Sequence, residues 1–311
     1  EMILAALKAG RETTEKADLT IMSSTLKELR YTATVFSGYR AVRKVSVFGS
    51  ARTPPDNPLY RMARDFGRTL AGEGFMVITG GGAGIMQAVN EGAGAEKSFG
   101  VSIRLPFEQK SNPVVNGNPR DITFKYFFNR KLAFIKEACA VALFPGGFGT
   151  LDEAMEALTL LQTGKRYPIP VVLLDRPGGG YWSGLLKFMG EHLAADAYIG
   201  ANDFSFFQPV TGIDEAVAVI TAFYRRYHSL RFVGGKSVLR MATELPASRV
   251  QELRREFADM MPTGGRIMAS GPLPEERDEP EIKHLPRLVV DFNKQDFARL
   301  RQLIDAINTS V

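Results

Sequence analysis

Between Lys44 and Asp175 short apolar runs alternate with longer amphipathic stretches. The runs are Lys44–Gly49, Phe75–Gly80, Phe99–Leu105, Ala140–Phe144 and Ile169–Asp175. Helical spacing fills the intervals near 57–73, 84–95, 129–138, 150–163 and 181–195. Nearly continuous apolar strands separated by helices predict a doubly wound, Rossmann-like α/β domain whose parallel sheet is covered on both faces. Ligands of such sheets bind beyond the carboxyl ends of the strands. Three of the runs end in glycine: Phe48-Gly49-Ser50, Thr79-Gly80-Gly81-Gly82-Ala83-Gly84 and Phe144-Pro145-Gly146-Gly147. One shared crevice is therefore expected at these strand ends.

The rest of the chain reads differently. Residues 1–40 are expected to form a helical arm for packing or oligomer contact, and 41–229 the catalytic domain. Beyond it, 230–311 reads as β-α-β-β-α: strands at Ser237–Thr243, Arg266–Ser270 and Leu288–Phe292, helices at Pro246–Met260 and Gln295–Ile307. That order suggests a small α+β appendage, ferredoxin-like or ACT-like. Its connection Gly271–Pro286, rich in proline and acid, is expected to be a solvated loop.

Composition excludes several classes of function. One cysteine, Cys139, removes disulfide frameworks and thiolate metal sites, and its apolar setting predicts a buried structural thiol. His192, His228 and His284 stand in unrelated contexts, so no metal centre is expected. Neither a membrane-length apolar run nor a secretory leader is seen, and a cytoplasmic setting is expected. The formal charge of +5 lies largely on helix-like stretches, which predicts solvated faces rather than a nucleic-acid surface.

The glycine clusters carry the chemistry. Gly80–Gly84 opens the backbone and precedes a helix whose positive end favours an anion. A dinucleotide site would need a third glycine where Ile85 stands, and a P-loop would need Lys-Ser/Thr; both patterns fail. The competing reading is that these glycines serve only a sharp turn. In Pro145–Glu153 the amides of Gly147, Gly149 and Thr150 are expected to face one space as an anion nest, with Glu153 projecting from the first helical turn. A Thr150–Glu153 capping box explains that glutamate equally well, though not the glycines before it. Arg130-Lys131 places two cations at a helix start, against the macrodipole, which calls for a phosphate or a facing carboxylate. Arg130 and Glu153 are expected to meet over the end of strand Ala140–Phe144.

Gly80-Gly81-Gly82-x-Gly-Ile-Met, Arg130-Lys131 and Pro145-Gly146-Gly147-x-Gly149-Thr150-x-x-Glu153, in this order, resemble the LOG ("Lonely guy") family over about residues 44–226. Its members are nucleoside 5′-monophosphate phosphoribohydrolases, Rossmann-like and typically dimeric, once labelled lysine decarboxylases. The resemblance implies a nucleoside monophosphate substrate, no metal or redox cofactor, and a homo-oligomer, with Arg130 and Glu153 catalytic. It places substrate and phosphate on Gly49, Ser50, Gly81, Gly82, Lys131, Gly146, Gly147, Gly149 and Thr150, and on Glu108 by likeness to longer members. Gly84-Ile85-Met86-Gln87 departs from the usual Gly-Leu-Met-Gly, and Tyr126–Phe128 and Lys110–Arg120 can reshape the base pocket, so prenylated adenine is not assured. Molybdenum-cofactor carriers, which share the glycine turns, imply the alternative: a phosphorylated ligand held without chemistry. A pyridoxal decarboxylase lacks both a suitable lysine and an aspartate for the pyridinium nitrogen.

Overall fold

The computed structural model describes residues 1–106 and 110–310. They form two compact units, Glu1–Cys139 and Ala140–Val311. The first sheet is a seven-stranded parallel sheet of order β4-β3-β2-β1-β5-β6-β7, which bears out the Rossmann-like α/β class.

The first unit opens with helices α1 (Met2–Glu12) and α2 (Lys16–Ser37). Strands β1 (Lys44–Phe48), β2 (Met76–Thr79), β3 (Ser98–Ile103) and β4 (Asp121–Phe124) follow, with helices α3 (Pro58–Gly72), α4 (Ile85–Ala93) and α5 (Phe127–Glu137) between or after them. Every residue of β1 and β2 is buried, as expected of strands covered on both faces. Helix α3 starts where the sequence says it should: Pro58 occupies its first turn, and the Asn57 side chain accepts the Leu59 N–H at 2.9 Å. Pairing is in parallel register, Val45 opposite Val77, Ile78 opposite Phe99 and Val101 opposite Ile122. Strand β4 was not expected. It is an edge strand whose Asp-Ile-Thr-Phe alternates polar and apolar residues, so it lacks the continuous apolar run that marks its neighbours.

The second unit carries β5 (Ala140–Leu143), α6 (Phe148–Gln162), β6 (Val171–Leu174), α7 (Tyr181–Phe188), β7 (Phe207–Val210) and α8 (Ile213–Ala222). The edge strand β7 escaped the sequence reading for a similar reason: Pro209 breaks its pattern, which only an edge tolerates. A second, four-stranded antiparallel sheet follows, of order β10-β11-β9-β8. Its elements are β8 (Tyr227–Val233), β9 (Lys236–Met241), α9 (Ala247–Glu256), β10 (Ile267–Ser270), β11 (Arg287–Val290) and α10 (Phe297–Thr309). The observed order is β-β-α-β-β-α, one strand more than the β-α-β-β-α of the sequence reading. Gly234 and Gly235, at φ 54° and 84°, close the extra β8–β9 hairpin.

The connection Gly271–Pro286 is not simply a solvated loop. Its Glu276 is buried against Arg240 (2.8 Å) and Arg287 (3.2 Å), which ties the loop to β9 and β11. Helix α10 is bonded within the same unit: Arg301 donates to the Ile169 carbonyl at 3.0 Å.

Candidate functional site

Beyond β2 the chain makes the first glycine turn, and its shape is fixed from below. Asn112 donates its side-chain amide to the Gly82 carbonyl and to Asn90 Oδ1, both at 3.0 Å, and its backbone N–H to the Gly81 carbonyl at 2.7 Å. Thr79 Oγ1 donates to the same Asn90 oxygen at 2.8 Å and accepts the Gly81 N–H at 3.1 Å. Thr79, Asn90 and Asn112 are all buried, so this network holds the turn from within the fold. Gly81 and Gly84 have φ of 68° and 64°, conformations that other residues adopt only under strain. A Cβ on Gly80 would stand 2.5 Å from Arg130 Nη2 and 2.7 Å from Met86 Sδ. Turn geometry requires glycine at Gly81 and Gly84, whereas at Gly80 and Gly82 the nearest atoms are the ends of flexible side chains. Gly49 and Ser50 serve the same packing: a Cβ on Gly49 would meet the Ile85 side chain at 2.6 Å, and the Ser50 carbonyl accepts the Ile85 N–H at 3.0 Å.

A cleft of about 170 Å³ opens above this turn, lined among others by Gly81, Gly82, Met86, Lys110 and Arg130. That is less than the roughly 300–1,000 Å³ of a site enclosing a drug-sized ligand, so it suits one part of such a ligand. Arg130 is half-buried rather than a surface cation. Its Nε donates to the Val101 carbonyl at 2.9 Å, and its guanidinium lies over the Phe134 ring at 5.2 Å. A carboxylate from the arm also reaches this helix start. Glu28 of α2 accepts the Lys125 backbone N–H at 2.8 Å and the Asn129 side-chain amide at 2.7 Å, beside the first turn of α5. Lys131 is also half-buried, but it and the pair Gly49 and Ser50 are not among the residues lining the cleft. Glu108 lies outside the described residues.

The second glycine turn, in the other unit, departs from expectation in useful ways. Helix α6 begins at Phe148 with Gly147 as N-cap and no side-chain cap, so Thr150 is a buried third residue of the helix rather than its cap. Its N–H donates to the Gly147 carbonyl at 3.0 Å and is spent on the helix, which removes one donor from the anticipated nest. The capping box is therefore not formed, and Glu153 stands in the second turn, not the first. It is 6% exposed. A buried carboxylate is costly to keep and marks a working or tightly partnered group.

Gly147 and Gly149 contrast with the first turn. Neither has a positive φ, and a Cβ on either would meet nothing within 4 Å. Neither φ nor crowding requires glycine here, so the backbone of the turn is open to approach. Phe148, between them, is 93% exposed. Tyr181, at the start of α7, braces the turn: its hydroxyl donates to the Gly146 carbonyl at 2.7 Å, while its N–H is held by Asp175 at 3.1 Å.

Residues 86–220 match a family model described as "Possible lysine decarboxylase". The cytokinin riboside 5′-monophosphate phosphoribohydrolase LOG3 of Arabidopsis thaliana is 27% identical over 152 residues, 48% of this chain and 68% of that protein. The resemblance drawn from the motifs is borne out. The central region is similar to these LOG-family proteins. A probable phosphoribohydrolase of the same name series in Oryza sativa subsp. japonica, LOGL3, is 29% identical over 42% of this chain and 60% of its own length. Arabidopsis LOG6 is 31% identical over 37% and 56%. The chain thus spans under two thirds of the latter two relatives. Among solved structures, the molybdenum cofactor carrier protein of Chlamydomonas reinhardtii is 19% identical, with 58% of this chain and 96% of that one covered at a TM-score of 0.40. The family-model match begins at Met86, so the first glycine turn lies just before it and the second within it.

Several contributors escaped the sequence reading: Glu28, Asn90, Asn112 and Tyr181. They are polar residues without a motif, and only the fold brings them to the turns. Cys139 is half-buried rather than buried. Among the described residues, no helix is long and apolar enough to cross a membrane, and no group of three or more His, Cys, Asp or Glu is placed to hold a metal.

Proposed function

We propose that the chain is a phosphoribohydrolase that cleaves the N-glycosidic bond of a nucleoside 5′-monophosphate, of AMP or cytokinin riboside monophosphate type, to free base and ribose 5-phosphate. The observation that carries this reading is the open glycine turn, unexplained by local packing, leading into the buried Glu153. The LOG-family relatives, phosphoribohydrolases by name, point the same way.

In this proposal the 5′-phosphate rests on the Gly146–Thr150 turn, where a bare backbone can approach it closely. Binding energy from the phosphate then positions the scissile bond. As the C1′–N bond breaks, its electron pair leaves with the base and positive charge develops on the ribose. Glu153 stabilises that charge and orients, or deprotonates, the water whose oxygen adds to C1′. The departing base takes up a proton. By likeness to the family, Arg130 is assigned to the phosphate or ribose and Lys131 to substrate contact. A homodimer in the cytoplasm completes the proposal; the exposed Phe127, Phe128 and Leu132 on α5 support a second copy.

Incubating the protein with AMP, GMP, CMP and isopentenyladenosine monophosphate, then chromatographing for base and ribose 5-phosphate, tests it. Release of base from at least one is expected. Binding without release from any would instead favour a carrier of phosphorylated ligands.

A further inference from the structure

One wall of the cleft carries a hydrogen-bond relay whose direction is set by its far end. Ser102 Oγ on β3 lies 3.1 Å from Asp121 Oδ1 and 3.0 Å from Ser111 Oγ. Both serines line the cleft. A carboxylate only accepts, and a serine hydroxyl has a single proton to give. The Ser102 proton therefore goes to Asp121, so the contact between the serines takes its proton from Ser111. With that proton spent, Ser111 can offer the cleft only lone pairs.

The relay is built into the fold. A Cβ on Gly81 would strike Ser102 Oγ, and one on Gly100 would lie 2.6 Å from Asp121 Oδ1, so two glycines make room for it. The remaining charged side chains on the lining, Lys110 and Arg130, are donors. Among the described lining residues, the serine pair is thus the side-chain oxygen acceptor. Met86, Ile103 and Leu105 supply apolar lining that suits the face of a ring.

We propose that Ser111, oriented through Ser102 by Asp121, is a specificity-determining residue that accepts a hydrogen bond from the exocyclic amino group of a nucleobase. The chain would then favour amino-bearing over oxo-bearing nucleotides of the same ring, AMP over IMP and CMP over UMP. This rests on the glycosidase reading above. An oxo group placed at Ser111 sets two acceptors against each other, and the site is left with an unpaired group.

The test is kcat/KM for the pairs AMP/IMP and CMP/UMP in the parent, Ser102→Ala, Ser102→Thr and Ser111→Ala. The parent should favour the amino member of at least one pair by about tenfold, the weight of one hydrogen bond left unmade. Ser102→Ala frees the Ser111 hydroxyl to rotate and donate, so the ratio should fall toward one; Ser102→Thr keeps the relay and should keep the ratio. Should Ser102→Ala melt early, Ser111→Ala, which removes the acceptor itself, should lower the ratio in its place. A parent ratio near one for both pairs, or a ratio unchanged in the Ala variants, overturns the assignment while leaving the glycosidase intact. No base from any of these four, with base still released from GMP or isopentenyladenosine monophosphate, overturns this assignment alone; no base from any of the six overturns the glycosidase reading with it.

Discussion

At the scale of single residues, the two glycine turns look alike in sequence and differ in physical cause. Gly81 and Gly84 hold positive φ angles, so Gly84→Ala should cost about 1–3 kcal/mol of stability. Gly149 is in open space on a helix, where alanine gains up to about 1 kcal/mol in propensity. Gly149→Ala should therefore melt no earlier than the parent, yet raise KM for a nucleoside monophosphate about tenfold by obstructing the phosphate. Thermal melts beside steady-state kinetics separate the two; a Gly149→Ala protein with unchanged KM would remove the phosphate from this turn. The sequence showed both clusters but not this division. Glycine's identity is plain in a sequence, whereas its φ angle and the space around its α-carbon depend on the surrounding fold.

At the scale of elements, α5 shows how the arm and the site are linked. Its start has no side-chain cap of its own, and Glu28 of α2 accepts the Lys125 N–H and the Asn129 amide there. Glu28→Ala should lose about 0.5–2 kcal/mol, the range of a missing helix cap, and Glu28→Gln less, because one acceptor oxygen remains. Hydrogen exchange should quicken at the Lys125 amide in both. Equal exchange in parent and Ala variant would show that Glu28 does not hold this end. The central strands and the helices between them were legible because period and length agree. The edge strands β4 and β7 were not, since a half-polar or proline-bearing segment carries little pattern of its own.

At the scale of the whole molecule, the second sheet depends on a buried charge cluster that sequence cannot reveal, because its members lie far apart in the chain. Burial alone would raise the Glu276 carboxyl. The Leu273 N–H and the Arg240 and Arg287 guanidiniums together outweigh that and hold it below its ordinary value of 4.5. A depressed folded value means that the contribution is complete above the unfolded value and is lost as pH falls through the folded one. The stability of this unit should therefore fall as pH drops below about 4.5, more steeply in the parent than in Glu276→Gln. Glu276→Ala should cost about 3–5 kcal/mol at neutral pH, since the buried Arg287 loses its carboxylate and the buried Arg240 keeps only Glu279. Identical pH profiles for parent and Glu276→Gln would rule the cluster out as the source.

The proposed chemistry stands on Glu153, and the most direct measurement is release of base from a nucleoside monophosphate by the parent and by Glu153→Gln, with nucleotide binding followed in parallel. The substitution keeps the shape of a buried side chain and removes its charge. Turnover should fall at least about a hundredfold, as for loss of a general base or charge stabiliser, while the nucleotide still binds. Equal turnover in the two proteins would contradict the role assigned to Glu153.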